Sequence, residues 1–252
     1  MRILGTVPLD PDGSAMFRVP ANTPIAVQPL DEQGRALQMM RSWFTLMPGE
    51  VRSCVGCHEP QNTLAAVKRT TAATRAPSEI EPWYGPPRGF DFEREVQPVL
   101  TKYCAGCHNG SRGRPDLRSK EHFPAYEGVY SDVPDWWSHN VPQVFKRELL
   151  GSRSRKRVKV QFTPAYEELQ KYVRRNGPEG DYMLPNPAEF HVNTSDLIQM
   201  LEKGHHNVRL NQEAWDRLIT WIDLDVPCHG TWGQILPIPF NGRQRRLELA
   251  KL

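Results

Sequence analysis

The chain has 252 residues, enough for one large domain or two modest ones with their own cores. Its apolar content of 38%, with 23 prolines and 18 glycines, is typical of a loop-rich globular protein and excludes a helical bundle or a disordered chain. The formal net charge is only +3, and aromatic residues do not alternate with basic ones, which argues against nucleic acid as a partner. No apolar run approaches the roughly 18 residues of a membrane span.

Residues 1–52 predict β-structure. Short apolar runs alternate with polar residues, and turn signals separate the runs at residues 10–13 (DPDG), 32–34 (EQG) and 48–49 (PG). We therefore expect this part to be the C-terminal portion of a small antiparallel, sandwich-like β-domain from a longer chain. The residues that carry the alternation are Ala15, Phe17, Val19, Ile25, Val27, Trp43 and Phe44.

Four of the five cysteines fall into two copies of one motif, CxxCH, at residues 54–58 and 104–108. This motif is the attachment site of c-type haem. The two thiols, one helical turn apart, add to the vinyl groups of the porphyrin, and the adjacent histidine binds the iron. The sequence therefore predicts two covalent haem c groups. Their anchors are Cys54, Cys57, Cys104 and Cys107, and their proximal iron ligands are His58 and His108.

Two alternatives explain the cysteine pairs without haem. A single four-thiolate zinc site would make the chain a structural module, but its pairs usually lie about 15–20 residues apart, whereas 46 residues (58–103) separate these pairs. Redox disulfides of the thioredoxin type would need a βαβ unit, and no such alternation is visible. The fifth cysteine, Cys228, is interpreted as a buried small hydrophobe, and a metal or haem role for Cys228 or His229 is the minority hypothesis.

Residues 53–89 carry the first motif and then a segment rich in Ala, Thr, Arg and Pro, which predicts a linker. From residue 90 the apolar spacing becomes helical and leads directly into Cys104. A short helical segment is predicted around residues 165–173, and a closing helix begins after Asn211, its predicted N-cap. Residues 90–252 are therefore expected to form a mostly α-helical, cytochrome c-like domain, and the predicted fold class of the chain is α+β.

The sixth iron ligand of the second haem is sought in the loop before the closing helix, where cytochrome c domains place it. That loop reads KGHHNV at residues 203–208. His205 is the predicted distal ligand, followed by His206, His191 and Met183 as alternatives. Two imidazoles leave the iron no open position, so this haem is predicted to be a low-spin, low-potential electron relay. The first haem has no comparable partner in sequence, and an open iron there is where chemistry would occur.

Covalent haem attachment takes place after export, yet the N-terminus lacks the apolar stretch of a signal peptide. We therefore expect an exported protein, in the periplasm or an equivalent compartment, whose signal peptide is not in this chain. A redox partner protein is expected. The basic run at residues 152–157 is either a solvated loop or a docking patch for an acidic redox partner.

Three blocks of the sequence resemble the hydrazine synthase alpha subunit and its relatives in planctomycete bacteria. The blocks are residues 52–59 (RSCVGCHE), 203–208 (KGHHNV) and 221–232 (WIDLDVPCHGTW). The resemblance implies a β-rich middle domain followed by a C-terminal dihaem region within a larger multisubunit assembly. In that family the histidine of the first motif binds zinc and a tyrosine four residues later binds the iron. Here His58 would be the zinc ligand, but residue 62 is asparagine, which cannot supply a phenolate.

The predicted function is electron transfer by a dihaem c-type cytochrome module, with the second haem as a bis-histidine relay. The alternative is a haem-based oxidoreductase of nitrogen compounds, similar to hydrazine synthase alpha, with catalysis at the first haem. The resemblance favours this alternative, whereas Asn62 argues against it.

Overall fold

The computed structural model describes residues 1–40, 42–56, 69–119, 162–175, 188–231, 234 and 247–248. Within these residues the regular structure is helical. Helix α1 spans Gln97–Tyr103 and continues a π-helical turn at Phe92–Val96. Helix α2 spans Pro164–Leu169 and passes into a 3-10 turn at Gln170–Tyr172. Helix α3 spans Asp196–Glu202, and α4 spans Gln212–Asp223. Further 3-10 turns lie at Ala72–Thr74 and Val192–Thr194.

The π-helical turn before α1 and the helices α2 and α4 each begin with a side-chain cap. Asp91 accepts a hydrogen bond from the Arg94 N–H, Thr163 from the Tyr166 N–H, and Asn211 from the Ala214 N–H. Each cap satisfies a backbone donor that a helix leaves unpaired in its first turn. The closing helix predicted from the Asn211 cap is therefore confirmed, as are the helical lead into Cys104 and the short helix near residue 165.

One hydrophobic core joins the helices. Phe92 is fully buried and packs with its ring centre 5.4 Å from Trp221 of α4 and 5.3 Å from Tyr166 of α2. Val96 and Ile198 are also fully buried in this cluster. Burial of large aromatic and aliphatic side chains is the main stabilising term in such a core. The core therefore fixes the positions of α1, α3 and α4. The second CxxCH motif directly follows α1, and the loop with His205 lies between α3 and α4.

The predicted antiparallel β-domain in residues 1–52 is wrong, and so is the α+β fold class that rested on it. The described residues of this part contain only isolated bridges and no strand. The predicted turns are correct, because Gly13, Gly34 and Gly49 each adopt a positive φ close to 75–77°. The bridges are Arg2 with Gly89, Thr6 with Glu81, Phe17 with Ser78, Ile25 with Phe44, and Leu30 with Ala36.

Proline explains why the alternating pattern does not become a sheet. Residues 1–52 contain prolines at 8, 11, 20, 24, 29 and 48, so the apolar runs before residue 30 are each interrupted within a few residues. A proline has no N–H to donate, and a ladder cannot extend through it. The segment instead pairs singly with residues 78–89 and packs against the helices.

The N-terminal segment is attached to the helices through residues 28–37. The Gln28 side-chain amide donates to the Asp223 carbonyl, and the Ala36 N–H donates to the Asp223 carboxylate over 2.9 Å. Arg35 forms an ion pair of 2.6 Å with Glu202 at the end of α3. Among the described helices, none has the length and apolar character needed to cross a membrane.

Candidate haem-binding site at the second CxxCH motif

The second motif is wound as a tight turn at the end of α1. The Ala105 N–H donates to the Leu100 carbonyl over 2.8 Å, and the Cys107 and His108 N–H groups both donate to the Cys104 carbonyl. Because the turn is closed by these bonds, the two thiols and the imidazole of the motif are held on one short piece of backbone. Neither cysteine is in a disulfide, and Cys107 is exposed. Both thiols are therefore chemically available.

The thiol of Cys104 is partly buried. Burial, followed by the proximity of Cys107, raises its pKa to about 11. A thiol with so high a pKa stays protonated at neutral pH in the metal-free chain. Among the described residues no group of three or more His, Cys, Asp or Glu side chains could hold a metal ion.

A loop between α3 and α4 brings a second histidine to the motif. Gly204 turns the chain after α3 with φ of +93°, and the Val208 N–H closes the following turn on the His205 carbonyl. The imidazole rings of His205 and His108 then lie with centres 5.8 Å apart and planes inclined by 27°. The structure thus brings together the predicted proximal and distal ligands of the second haem.

The 5.8 Å spacing between these rings is suited to a metal between them. Histidine–metal bonds are about 2 Å long and each ring centre lies about 1 Å beyond its nitrogen, so two imidazoles on opposite sides of one ion have centres about 6 Å apart. Offset-stacked rings without a metal have centres about 4.5–7 Å apart, so the spacing is compatible with a group ligated from both sides but does not by itself require one.

The protonation of His108 is also suited to ligation. Its pKa is lowered, first by burial and then by the positive charges that His205, Arg114 and His206 can carry. Its Nδ1 atom is buried and has no hydrogen-bond partner in the described part of the chain. Neutral imidazole is the form that binds iron or zinc. His108 is therefore held in its ligand form at neutral pH.

The other candidate ligands lie in different surroundings. His206 is exposed, and its ring stands edge-on to His205 with centres 4.7 Å apart. His191 lies away from the motif: its Nε2 is 3.2 Å from the Asp31 carboxylate, and its Nδ1 accepts from the Asn193 N–H. Cys228 is buried beside the core, as the sequence indicated, and burial raises the pKa of its thiol to about 12.

The first motif is only partly described. Cys54 is exposed and not in a disulfide. The rest of the predicted first haem site, including Cys57, His58 and Asn62, lies outside the described residues, and so does the zinc site expected near His58. Met183 and the basic run at residues 152–157 also lie outside them.

Two features of the structure were not found from the sequence. Arg114 acts electrostatically on His108 from a turn that begins directly after the motif. Residues 109–116 (NGSRGRPD) contain a signal for it, since Arg112 and Arg114 flank Gly113 in a turn-forming sequence. Asp223 is 5% exposed at the end of α4, where it receives the N-terminal segment. Its signal is a single acid within the apolar stretch of residues 221–224 (WIDL).

The chain matches one protein family and is similar to one known protein. Residues 1–59 match the family described as hydrazine synthase alpha subunit middle domain, so the match includes the first CxxCH motif. Over 190 residues, or 52% of this chain, the sequence is 24% identical to hydrazine synthase subunit alpha of Kuenenia stuttgartiensis. The chain spans 23% of that relative's length in this alignment. No solved structure matches the chain. The resemblance to the hydrazine synthase alpha-like family is thereby confirmed.

Proposed function

We propose that the chain is a haem c-binding module of a larger redox protein, in which the second motif holds an electron-relay haem. The observation that carries the proposal is the 5.8 Å spacing of the His108 and His205 rings, directly beside two free thiols. In this proposal Cys104 and Cys107 are the thioether anchors, His108 is the proximal ligand and His205 is the distal ligand. The bound haem would supply one-electron transfer.

The chain's own residues would keep this site a relay. His108 and His205 would both hold the iron, so no small molecule could bind it without displacing one of these ligands. The turn that closes on Cys104 fixes His108, and the 205–208 turn fixes His205. Ligands held on short, hydrogen-bonded turns move little when charge changes, and little reorganisation favours rapid electron transfer.

A second candidate function is haem-based oxidation or reduction of a nitrogen compound at the first motif. The match of residues 1–59 to the hydrazine synthase alpha family supports it, because this match contains Cys54, Cys57 and His58. In this alternative the second haem supplies or removes electrons, and zinc near His58 is a further cofactor. Residue 62 is asparagine, so the iron ligand that the resemblance implies would have to be replaced by another group.

The proposal also includes the domain organisation of the chain and its location in the cell. Residues 1–52 precede the first motif, residues 53–89 carry that motif and a linker, and residues 90–252 hold the second haem. The module acts in an exported compartment within a multisubunit assembly and exchanges electrons with a partner protein. The relative's identity as one subunit of a synthase supports an assembly.

A pyridine haemochrome assay on the exported chain, followed by carbon monoxide addition to the reduced protein, separates these functions. Two low-spin haems that do not bind the gas support the relay at both sites. One gas-binding haem supports chemistry at the first motif. Absence of haem, checked by mass spectrometry of the mature chain, contradicts both and leaves the zinc module.

Substitution His205→Ala tests the ligand assignment. It should convert the second haem to a high-spin form that binds carbon monoxide, because one axial position becomes open. His206→Ala is the matched control: this ring is adjacent but exposed, and the spectrum should stay low-spin. An unchanged spectrum in His205→Ala, or a spin change in the control alone, would remove His205 from the site.

A further inference from the structure

Two loops meet at the histidine pair, and both expose basic side chains. The motif loop, residues 109–116, begins directly after His108 and closes on itself through a bridge between Asn109 and Asp116. Arg112, with φ of +54°, and Gly113 form its tip, so Arg112 and Arg114 project into solvent. The histidine loop, residues 203–209, contains His205 and exposes Lys203 and Arg209.

The acidic residues that adjoin these loops are already used elsewhere. Asp116 pairs with Arg118 over 2.8 Å, and Glu202 pairs with Arg35 over 2.6 Å. In the part of the chain that the structure describes, no carboxylate pairs with the four loop cations, which are Arg112, Arg114, Lys203 and Arg209. Arg18, on the N-terminal segment, is by contrast paired with Glu79.

This arrangement concentrates positive potential at one place. Because His108 and His205 are 5.8 Å apart, the loops that carry them are neighbours, and the cations exposed on both loops belong to one region of the surface. The lowered pKa of His108, to which the charge of Arg114 contributes, agrees with this closeness. Unpaired cations around one site steer a negatively charged partner towards it and align it there.

We propose that the motif loop and the histidine loop together form the docking surface for an acidic electron-transfer protein. The inference rests on the proposed function, since it assigns the partner of the relay site. A protein is favoured over a nucleic acid or a membrane. The loops have no Phe, Tyr or Trp on which bases could stack, and no apolar stretch that could enter a bilayer.

The test measures binding of a fluorescently labelled acidic flavodoxin to the full chain at low and high salt. Wild type should bind at low ionic strength and lose affinity as salt screens the contact. The double variant Arg112→Glu, Arg114→Glu should bind about tenfold more weakly at low salt, because two attractive charges become repulsive. Lys203→Glu with Arg209→Glu should weaken binding in the same direction.

The control is Arg18→Glu, which makes the same kind of charge change on an exposed side chain of the N-terminal segment. It should change affinity by no more than about twofold. Equal weakening in the control and in the double variants would overturn the docking surface, because only net charge would then matter. Tighter, variant-sensitive binding of a DNA oligonucleotide or of phosphatidylglycerol vesicles than of flavodoxin would overturn the choice of partner.

Haem content, measured on the same samples, separates this inference from the proposed function. The binding assay does not require haem, so a chain without haem refutes the relay while the variants still decide the docking surface. A chain with two haems and no difference between the double variants and the control refutes the docking surface alone. Thermal unfolding followed by circular dichroism verifies that each variant is folded.

Discussion

Asp223 should make the stability of this protein depend on pH, and Asp223→Asn should remove that dependence. The carboxylate is 5% exposed at the end of α4 and accepts a hydrogen bond from the Ala36 N–H. Burial raises its pKa from 3.8 to about 7; Asp31 adds to the rise, while the bond from Ala36 and the charge of Arg35 oppose it. Burial thus outweighs the favourable contacts in this site.

The sign and size of the pH dependence of stability follow from the raised pKa of Asp223. The folded protein holds the proton more tightly than the unfolded chain, so the protonated carboxyl favours folding below about pH 4. This stabilisation is lost as the pH rises through about 7. At about 1.4 kcal/mol for each pKa unit, the full loss is about 4 kcal/mol, and the part between pH 5 and 8 is about 3 kcal/mol.

Urea unfolding at pH 5 and pH 8, followed by tryptophan fluorescence, measures the effect. Asparagine is uncharged and keeps an oxygen that can accept from the Ala36 N–H, so the variant should be more stable than wild type at pH 8. Its free energy of unfolding should lack the loss of about 3 kcal/mol between the two pH values. Asp225→Asn, at an exposed acid two residues later, is the control and should behave as wild type. Parallel pH dependence in wild type and Asp223→Asn would refute the reasoning.

Two further substitutions test the helical core. Glu95 is 1% exposed and paired with Arg88, Arg94 and Arg217, so Glu95→Gln should cost about 3–5 kcal/mol in urea unfolding by removing the buried carboxylate that all three arginines share. Glu213→Gln, which removes a half-exposed partner of the same Arg217, should cost less than about 1 kcal/mol, and equal costs would contradict the burial argument. Asn211→Ala should lower the thermal stability by about 1 kcal/mol through loss of the α4 cap, and an unchanged melting temperature would contradict it.

Local signals in the sequence predicted the helices well. The Asn211 cap and the apolar stripe after it gave α4, whose Leu218, Ile219 and Ile222 are buried. His205 was predicted as a ligand from the loop before that helix. Its imidazole ring lies with its centre 5.8 Å from that of His108. The helix predictions succeeded because caps and 3.6-residue periodicity are properties of a few neighbouring residues.

The failed β prediction and the missed residues depend on distant contacts. Alternation in residues 15–27 resembled strands, but the prolines between the runs prevented a ladder, and turn glycines alone do not require one. Glu95 and Arg217 are 122 residues apart, and Asp223 meets Ala36 across 187. Ion pairs and hydrogen bonds of this kind follow from how the helices pack, which short sequence windows do not contain.

The attachment of residues 28–37 to the ends of α3 and α4 has a practical consequence for anyone who dissects this protein. A fragment that started at residue 90 would lose the Ala36 donor and the Arg35 ion pair, and it would open Asp223 to water. The helices beside the His205 loop would thereby lose their support. Truncation here would remove part of the second motif's scaffold, even though every cysteine and histidine of that motif would still be present.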